Sequence, residues 1–413
     1  MHLLVFVLTP LLLCPPGIGG GKVLVFPVDG SHWINMKVLV EELHARGHNI
    51  TVIVPSDSWY INKNSSYYNS VLMPMRGGYD ERFIGSFASS LLQIQIEGAS
   101  FWTQIKMSFE LIVKCSEMHY HVSNMIHEMF QDSRLMQSLQ ASEYDLVLTD
   151  PATGGGVLLA HRLGLPLVLN VRWTLQGEGH FAIAPSPLSY VPFPGSELTD
   201  NMSFIERVQN VLIYFLGKAQ LAIASYHYTS ICQQYFGSDA DLLTLTQGAD
   251  IWLMRNDFVF EFPRPTMPNV VYMGGFQMKA KGVAKIVDIA TMDRNTFLQA
   301  VQEVLHDPSY RIKMQHLSRL HRDQPMKPLD RAMFWIEFVM RHKGAAHLRT
   351  ESYKMPWYVY HSVDVIAVLF AFVSLVVLCT TVISSVPATV DPESTKSLKS
   401  RGNLRALRGL CGD

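Results

Sequence analysis

The sequence has almost no charge of one sign to spare and little cysteine. Its 34 Lys and Arg face 35 Asp and Glu, a formal net charge of -1. Without a basic excess there is no support for nucleic-acid binding. Five cysteines are too few for a disulfide scaffold. Cys14, Cys379 and Cys411 fall in terminal segments, and Cys115 and Cys232 are left in the body with no ligand spacing around them. They read as two buried free thiols rather than a disulfide, and no histidine spacing implies a metal. The first strand-to-helix turn, Asp29-Gly30-Ser31-His32, is not a G-x-G-x-x-G loop and carries no phosphate-binding fingerprint. No G-x-S-x-G elbow is present to supply a serine nucleophile.

Apolar sequence is abundant. Hydrophobic residues make up 48% and charged residues 17%, a balance that points to membrane contact. Residues 1–19 hold an apolar run from Leu3 to Leu13 followed by small residues, a secretory signal pattern. Residues 365–386 contain no charge and are long enough to cross a bilayer as a helix, which takes roughly 20 residues. The bland alternative is a buried core helix. Trp357, Tyr358 and Tyr360 precede the run like half of an aromatic belt. Residues 387–413, with Lys396, Lys399, Arg401, Arg405 and Arg408, suit a cytosolic tail. The expected topology is a lumenal body, one anchor and a short tail. Sequons stand at Asn49, Asn64 and Asn201. Asn49 begins a predicted strand, whereas Asn64 and Asn201 lie in polar loops and are the candidate glycan sites.

The body starts with a β-α-β pattern over Gly21–Pro55. An apolar run to Val28 is followed by a helix in which Ile34, Val38, Leu39 and Leu43 recur at helical spacing, then by a second β-branched run from Ile50. Such a crossover implies parallel strands with both sheet faces covered. A polar loop follows Pro55. The region from about Asp80 to Gln140 is helical in pattern, and core packing explains its Met and aromatic residues as well as an apolar ligand pocket does. Tyr144–Asp150, the Gly154–Gly156 run with its helix, and Leu165–Asn170 make a second β-α-β unit. Ala184–Pro194 reads as an extended loop, Met202–Phe236 as a helix broken near Gly217, and IWLMRND and NVVYMGG as two further strands. The fold class is α/β, with a parallel domain over 21–277.

After Gly275 the strand series stops. About 80 residues up to Pro356 read almost wholly as helix, with Thr291 as a cap, HDPSYRIKMQHLSRL as a second helix and a third running from Pro328 to Gly344. Only Val283–Ile286 suggests a strand. A second nucleotide-binding α/β domain would need on the order of 100 residues or more, so 278–356 is expected to be a helical remnant whose apolar stripes pack back on the first domain.

Two residues stand out chemically. His32 falls where the first strand ends and the first helix begins, and Asp150 falls at the carboxyl end of its own strand. In open α/β sheets ligands bind along that edge. An imidazole accepts a proton near neutral pH, and a carboxylate fixes its tautomer. The pair can activate a substrate hydroxyl. The bland alternatives are a helix-capping Asp150 and a hydrogen-bonded surface His32.

The string GKVLVFPVDGSHWINMKVLVEELHARGHNITVIVPS resembles the start of vertebrate UDP-glucuronosyltransferases. So do YDLVLTDP with its glycine run, YMGGFQ, the block LSRLHRDQPMKPLDRAMFWIEFVMRHKGAAHLR, and WYVYHSVDVIA before the apolar run. The resemblance implies a GT-B architecture, with an acceptor-binding N-domain, a nucleotide-sugar C-domain and one anchor in the endoplasmic reticulum membrane. It implies UDP-glucuronate as donor co-substrate, with no further cofactor, a small lipophilic acceptor, and homo- or hetero-oligomers with family members. By the motif match His32 is the general base and Asp150 its partner, and the acceptor hydroxyl attacks the anomeric carbon with inversion.

The chain departs from that family at the donor. The Trp-x-Pro-Gln opening, the later Phe-x-Thr-His-x-Gly stretch and the Ser-Leu-Gly-Ser strand are missing, and the junction falls between Gln277 and Gly282. Asp323 and Gln324 belong to the later HRDQP segment and are not the sugar-binding pair. The tail lacks a terminal dilysine. Two functions stay open: a glucuronosyltransferase, or a catalytically silent acceptor-binding or regulatory partner of complete family members.

Overall fold

Runs of β-branched and aliphatic residues, each too short for a helix and most of them followed by one, pair into a single parallel sheet. The computed structural model describes residues 20–75, 77, 85, 89, 101–172, 177–184, 186–194, 196, 198–255, 262–274, 294–349 and 355–385. The signal segment, the stretch between Asp80 and Gln140 that precedes 101 (apart from residues 85 and 89), the 277–282 junction, Val283–Ile286, Thr291 and the 387–413 tail lie wholly or almost wholly outside them.

The strands are β1 (Lys22–Phe26), β2 (Asn49–Pro55), β3 (Asn69–Met73), β4 (Leu146–Thr149), β5 (Leu167–Val171), β6 (Ile251–Met254) and β7 (Val270–Tyr272). Their spatial order is β3-β2-β1-β4-β5-β6-β7, with every pair parallel. The order reverses between β1 and β4, the switch point at which such sheets open a crevice. This is a Rossmann-like sheet, as a GT-B N-domain requires. β3 was hidden in sequence because its pattern is half exposed and follows a polar stretch.

Alternation along the strands sends successive side chains to opposite faces. Leu24, Phe26, Val147 and Leu169 meet α2 (Phe101–Gln131), α4 (Gly155–Leu163) and α6 (Thr229–Phe236) through residues such as Ile126, Leu158 and Ile231. Val23, Val25, Leu148 and Leu253 meet α1 (Ser31–Ala45) and, from far along the chain, α10 (Pro328–His342). The remaining α-helices among the described residues of this unit are α3 (Ser133–Ala141), α5 (Phe204–Tyr226), α7 (Leu242–Gln247), α8 (Arg294–His306) and α9 (Pro308–Arg322).

Three expectations are corrected in detail. Ile34 and Val38 lie on the exposed side of α1, and Trp33, Met36, Leu39, Val40 and Leu43 form its buried stripe. The spacing of the apolar residues was right, but Trp33 and Met36 set its phase. α5 runs unbroken through Gly217, because that glycine serves a close approach: a Cβ there would run into the Phe193 ring. The helix ends instead at His227, before Tyr228. Third, of the helices after 290, α10 packs against the sheet as expected, whereas in α8 and α9 only Leu317 is buried among the described residues.

By internal contacts the chain divides into residues 1–353 and 354–413. The second unit holds α11 (Trp357–Tyr360) and α12 (Val363–Ser385). Within α12, Val363–Thr381 has a mean hydropathy of 2.7 and none of it is buried. This is one candidate membrane span; it begins two residues before the expected 365–386 and ends five residues short of it, while α12 itself runs on to Ser385. Cys115 and Cys232 are free thiols, the first half-buried and the second buried.

Candidate active site

The geometry starts from the turn after β1. Asp29 is buried, and its carboxylate accepts from Gly30 N at 2.6 Å, Ser58 Oγ at 2.8 Å, Trp59 N at 2.9 Å and Tyr60 N at 3.2 Å. It pins the loop after β2 to the end of β1. Gly30 then takes φ 68°, a left-handed torsion that favours glycine. These constraints place His32 in the first turn of α1.

β1 and β4 are neighbours, with Phe26 in register with Thr149, so His32 and Asp150 just beyond them come together although they are 118 positions apart. His32 Nδ1 and Asp150 Oδ2 are 2.7 Å apart. The other Asp150 oxygen accepts from Ala152 N at 2.9 Å. Asp150 is 1% exposed, while the His32 side chain keeps 24%. A carboxylate can only accept, so Nδ1 carries the proton and Nε2 is left as the acceptor. Among the described residues this is the arrangement that can take a proton from a hydroxyl at the sheet edge.

The glycine run after Asp150 serves packing. A Cβ on Gly155 would meet the Phe26 ring and one on Gly156 would meet Thr149, so the run lets α4 lie close on the strands.

Sequence reasoning missed two arginines. Arg172 directly follows β5 and Arg255 directly follows β6, the same position that Asp150 has after β4. Burial lowers the basicity of Arg172, and the Asp150 charge opposes that shift. Burial, then the Arg172 charge, lowers that of Arg255, whose guanidinium donates to Asn35 Oδ1 on α1 at 2.8 Å. Asn170, fully buried in β5, has both amide atoms without a hydrogen-bond partner among the described residues. The carboxyl edge is therefore polar and cationic around the dyad. The signal that could have found these residues is their place at strand ends.

Next to Pro151 lies a cavity of about 40 Å³ lined by His119, Glu178, Phe181, Leu221 and Leu243, far below the few hundred Å³ of a small-molecule site. Aromatic rings crowd this side: Phe181 lies 5.8 Å from Phe193 and 5.1 Å from Tyr214 between centroids. Burial, then the charge of His227, holds His119 down to about 4. Burial, then Arg264, does the same to His180. A larger opening, about 640 Å³, lies at the opposite, amino edge between Leu165–Leu167 and the end of α10, away from the dyad.

Among the described residues no group of His, Cys, Asp and Glu could hold a metal ion. Asn64 and Asn201 are exposed, and Asn49 starts β2 with its side-chain oxygen accepting from Asn69 at 3.1 Å.

A family model described as UDP-glucoronosyl and UDP-glucosyl transferase matches residues 21–279 and 276–388. UDP-glucuronosyltransferase 2A2 of Mus musculus is 29% identical over 491 aligned positions, covering 87% of this chain and 92% of the mouse protein. UDP-glucuronosyltransferase 2B15 of Homo sapiens is 30% identical over 492 positions, covering 86% and 91%. The mouse alignment exceeds the 413 residues of this chain, so at least 78 of its positions have no counterpart here. The two matched stretches meet at 276–279, beside the junction read between Gln277 and Gly282.

Proposed function

The chain belongs to the UDP-glucuronosyl and UDP-glucosyl transferase family, and from that premise we propose that it binds a small lipophilic acceptor at the carboxyl edge of its sheet, with His32 as general base and Asp150 as the group that orients it. The observation that carries this reading is the 2.7 Å contact between His32 Nδ1 and the buried Asp150. Held in that tautomer, His32 Nε2 takes the acceptor's proton as the oxygen attacks the anomeric carbon of UDP-glucuronate, with inversion and departure of UDP. The proton passes from hydroxyl to imidazole, and the glycosidic bond forms as the bond to UDP breaks.

The donor half of that reaction is the weak half. Its two phosphates call for a helix N-terminus, backbone N–H groups or cationic side chains. Arg172 and Arg255 bring positive charge to the dyad, but the stretch that the relatives carry before α8 has no counterpart here. Without donor positioning the reaction forfeits a proximity effect of roughly 7 to 11 kcal/mol, and general-base help supplies only about 10²- to 10⁴-fold. The isolated chain therefore binds acceptor and transfers glucuronate at or near background. The exposed apolar residues of α8 and α9 favour a second role, as a silent partner of complete family members.

The compartment belongs to the same reading: the body in the lumen of the endoplasmic reticulum, α12 in its membrane, the tail cytosolic, and glycans at Asn64 and Asn201. Protease added to sealed microsomes should shorten the chain only by its tail, and glycosidase should shift its mobility.

Two measurements test the function. Calorimetry with UDP-glucuronate should show no binding. An assay with a phenol acceptor in cells lacking other family members should give background transfer. Robust turnover that disappears in His32→Ala would keep the base and overturn the claim of a missing donor site.

A further inference from the structure

The opening at the amino edge of the sheet, about 640 Å³, has the volume of a small-molecule site. Its floor is the start of β5. Its walls are the C-terminal ends of α4, α7 and α10, with the 3₁₀ turn Ala346–Leu348 that follows α10. Asp250, 7% exposed, holds these parts together: its carboxylate accepts from Leu167 N at 3.0 Å and from Ala345 N at 2.7 Å. Gly344 has φ 124° and admits that carboxylate, since a Cβ there would lie 3.1 Å from Asp250 Oδ1.

Helix C-termini attract basic side chains, and that explains part of the lining but not all of it. The last carbonyls of α4 accept from Gly164 N at 3.2 Å and Leu165 N at 3.0 Å, and Gly344 N closes the end of α10 on Val339 O at 3.0 Å. At the end of α7, His161 Nε2 donates to Leu245 O at 2.8 Å and Arg349 Nη1 donates to Gly248 O. Arg349 Nη2 is left 3.9 Å from Asp250, outside hydrogen-bond reach. The rings of His342 and His347 lie 4.4 and 5.9 Å from the Phe338 ring between centroids and make no hydrogen bond among the described residues. Uncommitted donors thus surround one aromatic face. Immediately around the cavity three cations, Lys22, Lys343 and Arg349, stand against two carboxylates, Asp145 and Asp250, which leaves one positive charge in excess.

We propose that this cavity binds a planar aromatic carboxylate. The ligand's ring packs against Phe338 and the two histidines at the spacing of aromatic pairs, about 4.5–7 Å. Its carboxylate accepts from Arg349 Nη2 and a histidine N–H. A carboxylate brings the single negative charge the cavity lacks and oxygens that only accept. A doubly charged phosphate would put surplus negative charge beside Asp250, and a neutral ring would leave the excess positive charge unmatched. The cavity lies at the opposite edge of the sheet from His32, so an occupant leaves the dyad open. Joining the starts of β5 and β6 to the end of α10, the ligand also fastens α10 to the sheet.

The test is calorimetry of the full chain in nanodiscs, titrated with 2-naphthoate and with its neutral counterpart 2-naphthamide, with empty nanodiscs as the blank. 2-Naphthoate should bind and raise the urea midpoint, because a ligand taken up only by the folded chain stabilises it. 2-Naphthamide should bind at least about tenfold more weakly. The double variant His342→Ala, His347→Ala should keep the ligand-free midpoint, since both side chains are exposed, and weaken naphthoate binding by about tenfold or more. His32→Ala should leave that binding unchanged. Equal binding of acid and amide would overturn the proposal, as would heats no different from those of empty nanodiscs. So would naphthoate binding that survives the double variant at full strength; its loss in His32→Ala would then place the ligand at the dyad. None of these readouts depends on transferase activity.

Discussion

Helix α10 buries Ala332, Met333, Ile336, Val339 and Met340 against α1 and the sheet, whereas α8 and α9 leave Leu298, Leu305, Ile312 and Leu320 at 50%, 73%, 58% and 47% exposure. All three helices are amphipathic. What separates them is a partner surface. α10 fits the face of the sheet next to α1, and Arg46 ties the two together through Asp330 at 2.9 Å and Glu337 at 3.4 Å. Lys343 at its end pairs with Asp145. The two stretches that the family model matches meet at 276–279, ahead of α8. An apolar stripe makes a helix stable only where something covers it.

The sharpest test of this contrast is a pair of truncations. Ile336 is fully buried, and Ile336→Ala should cost about 2–5 kcal/mol. Leu305→Ala, on an exposed stripe, should stay within about 0.5 kcal/mol. Urea unfolding of the full chain in nanodiscs reads both. Equal losses would mean that α8 has a partner surface after all.

Acid should find the body before the trailing helices. His119 is 2% exposed and donates or accepts at Tyr228 Oη, 3.1 Å away. Its folded pKa of about 4 lies below the ordinary 6.5. Between those values the unfolded chain binds a proton that the folded chain does not. The stability this group contributes is therefore complete above about pH 6.5 and is lost as pH falls toward 4. The full loss is about 3 kcal/mol. His119→Gln should lower stability at pH 7 and flatten its fall between pH 6.5 and 4. An unchanged slope would assign the acid sensitivity to other groups.

The same contrast explains what was legible in the sequence. Strands buried on both faces are continuous β-branched runs, so β1, β2, β4, β5 and β6 could be read directly. Their ends located His32 and Asp150, because parallel neighbours align the residues that follow them. β3 could not be read in this way, since its burial is partial and its preceding loop is polar. The phase of the α1 stripe was misread because Trp33 and Met36 carry more of the contact than Ile34 and Val38. Arg172 and Arg255 were passed over because a single arginine after a strand says nothing until the strand order is known. The fate of α8 and α9 was legible only as a deficit: a stripe announces that a surface should be covered, not that the cover is present.

The smallest effect makes the finest distinction, and it concerns helix caps. Ser203 opens α5 with a reciprocal capping box to Glu206, and Asp307 opens α9 by accepting from Ser309 N at 2.8 Å. The two caps do the same local work, satisfying donors that the first turn leaves open. They differ in what the helix is attached to. α5 is fixed to the body by Asn210, Gly217 and Ala224, so its first turn opens at a cost shared with the surrounding structure, and Ser203→Ala should lower global stability by about 1 kcal/mol. α9 buries only Leu317, so it can open by itself, and whatever the cap contributes belongs to that local event. Asp307→Ala should then leave the urea midpoint unchanged while hydrogen exchange at residues 309–312 speeds up. If the midpoint falls with Asp307→Ala as it does with Ser203→Ala, α9 unfolds together with the body, and the division drawn between α10 and its two predecessors is wrong.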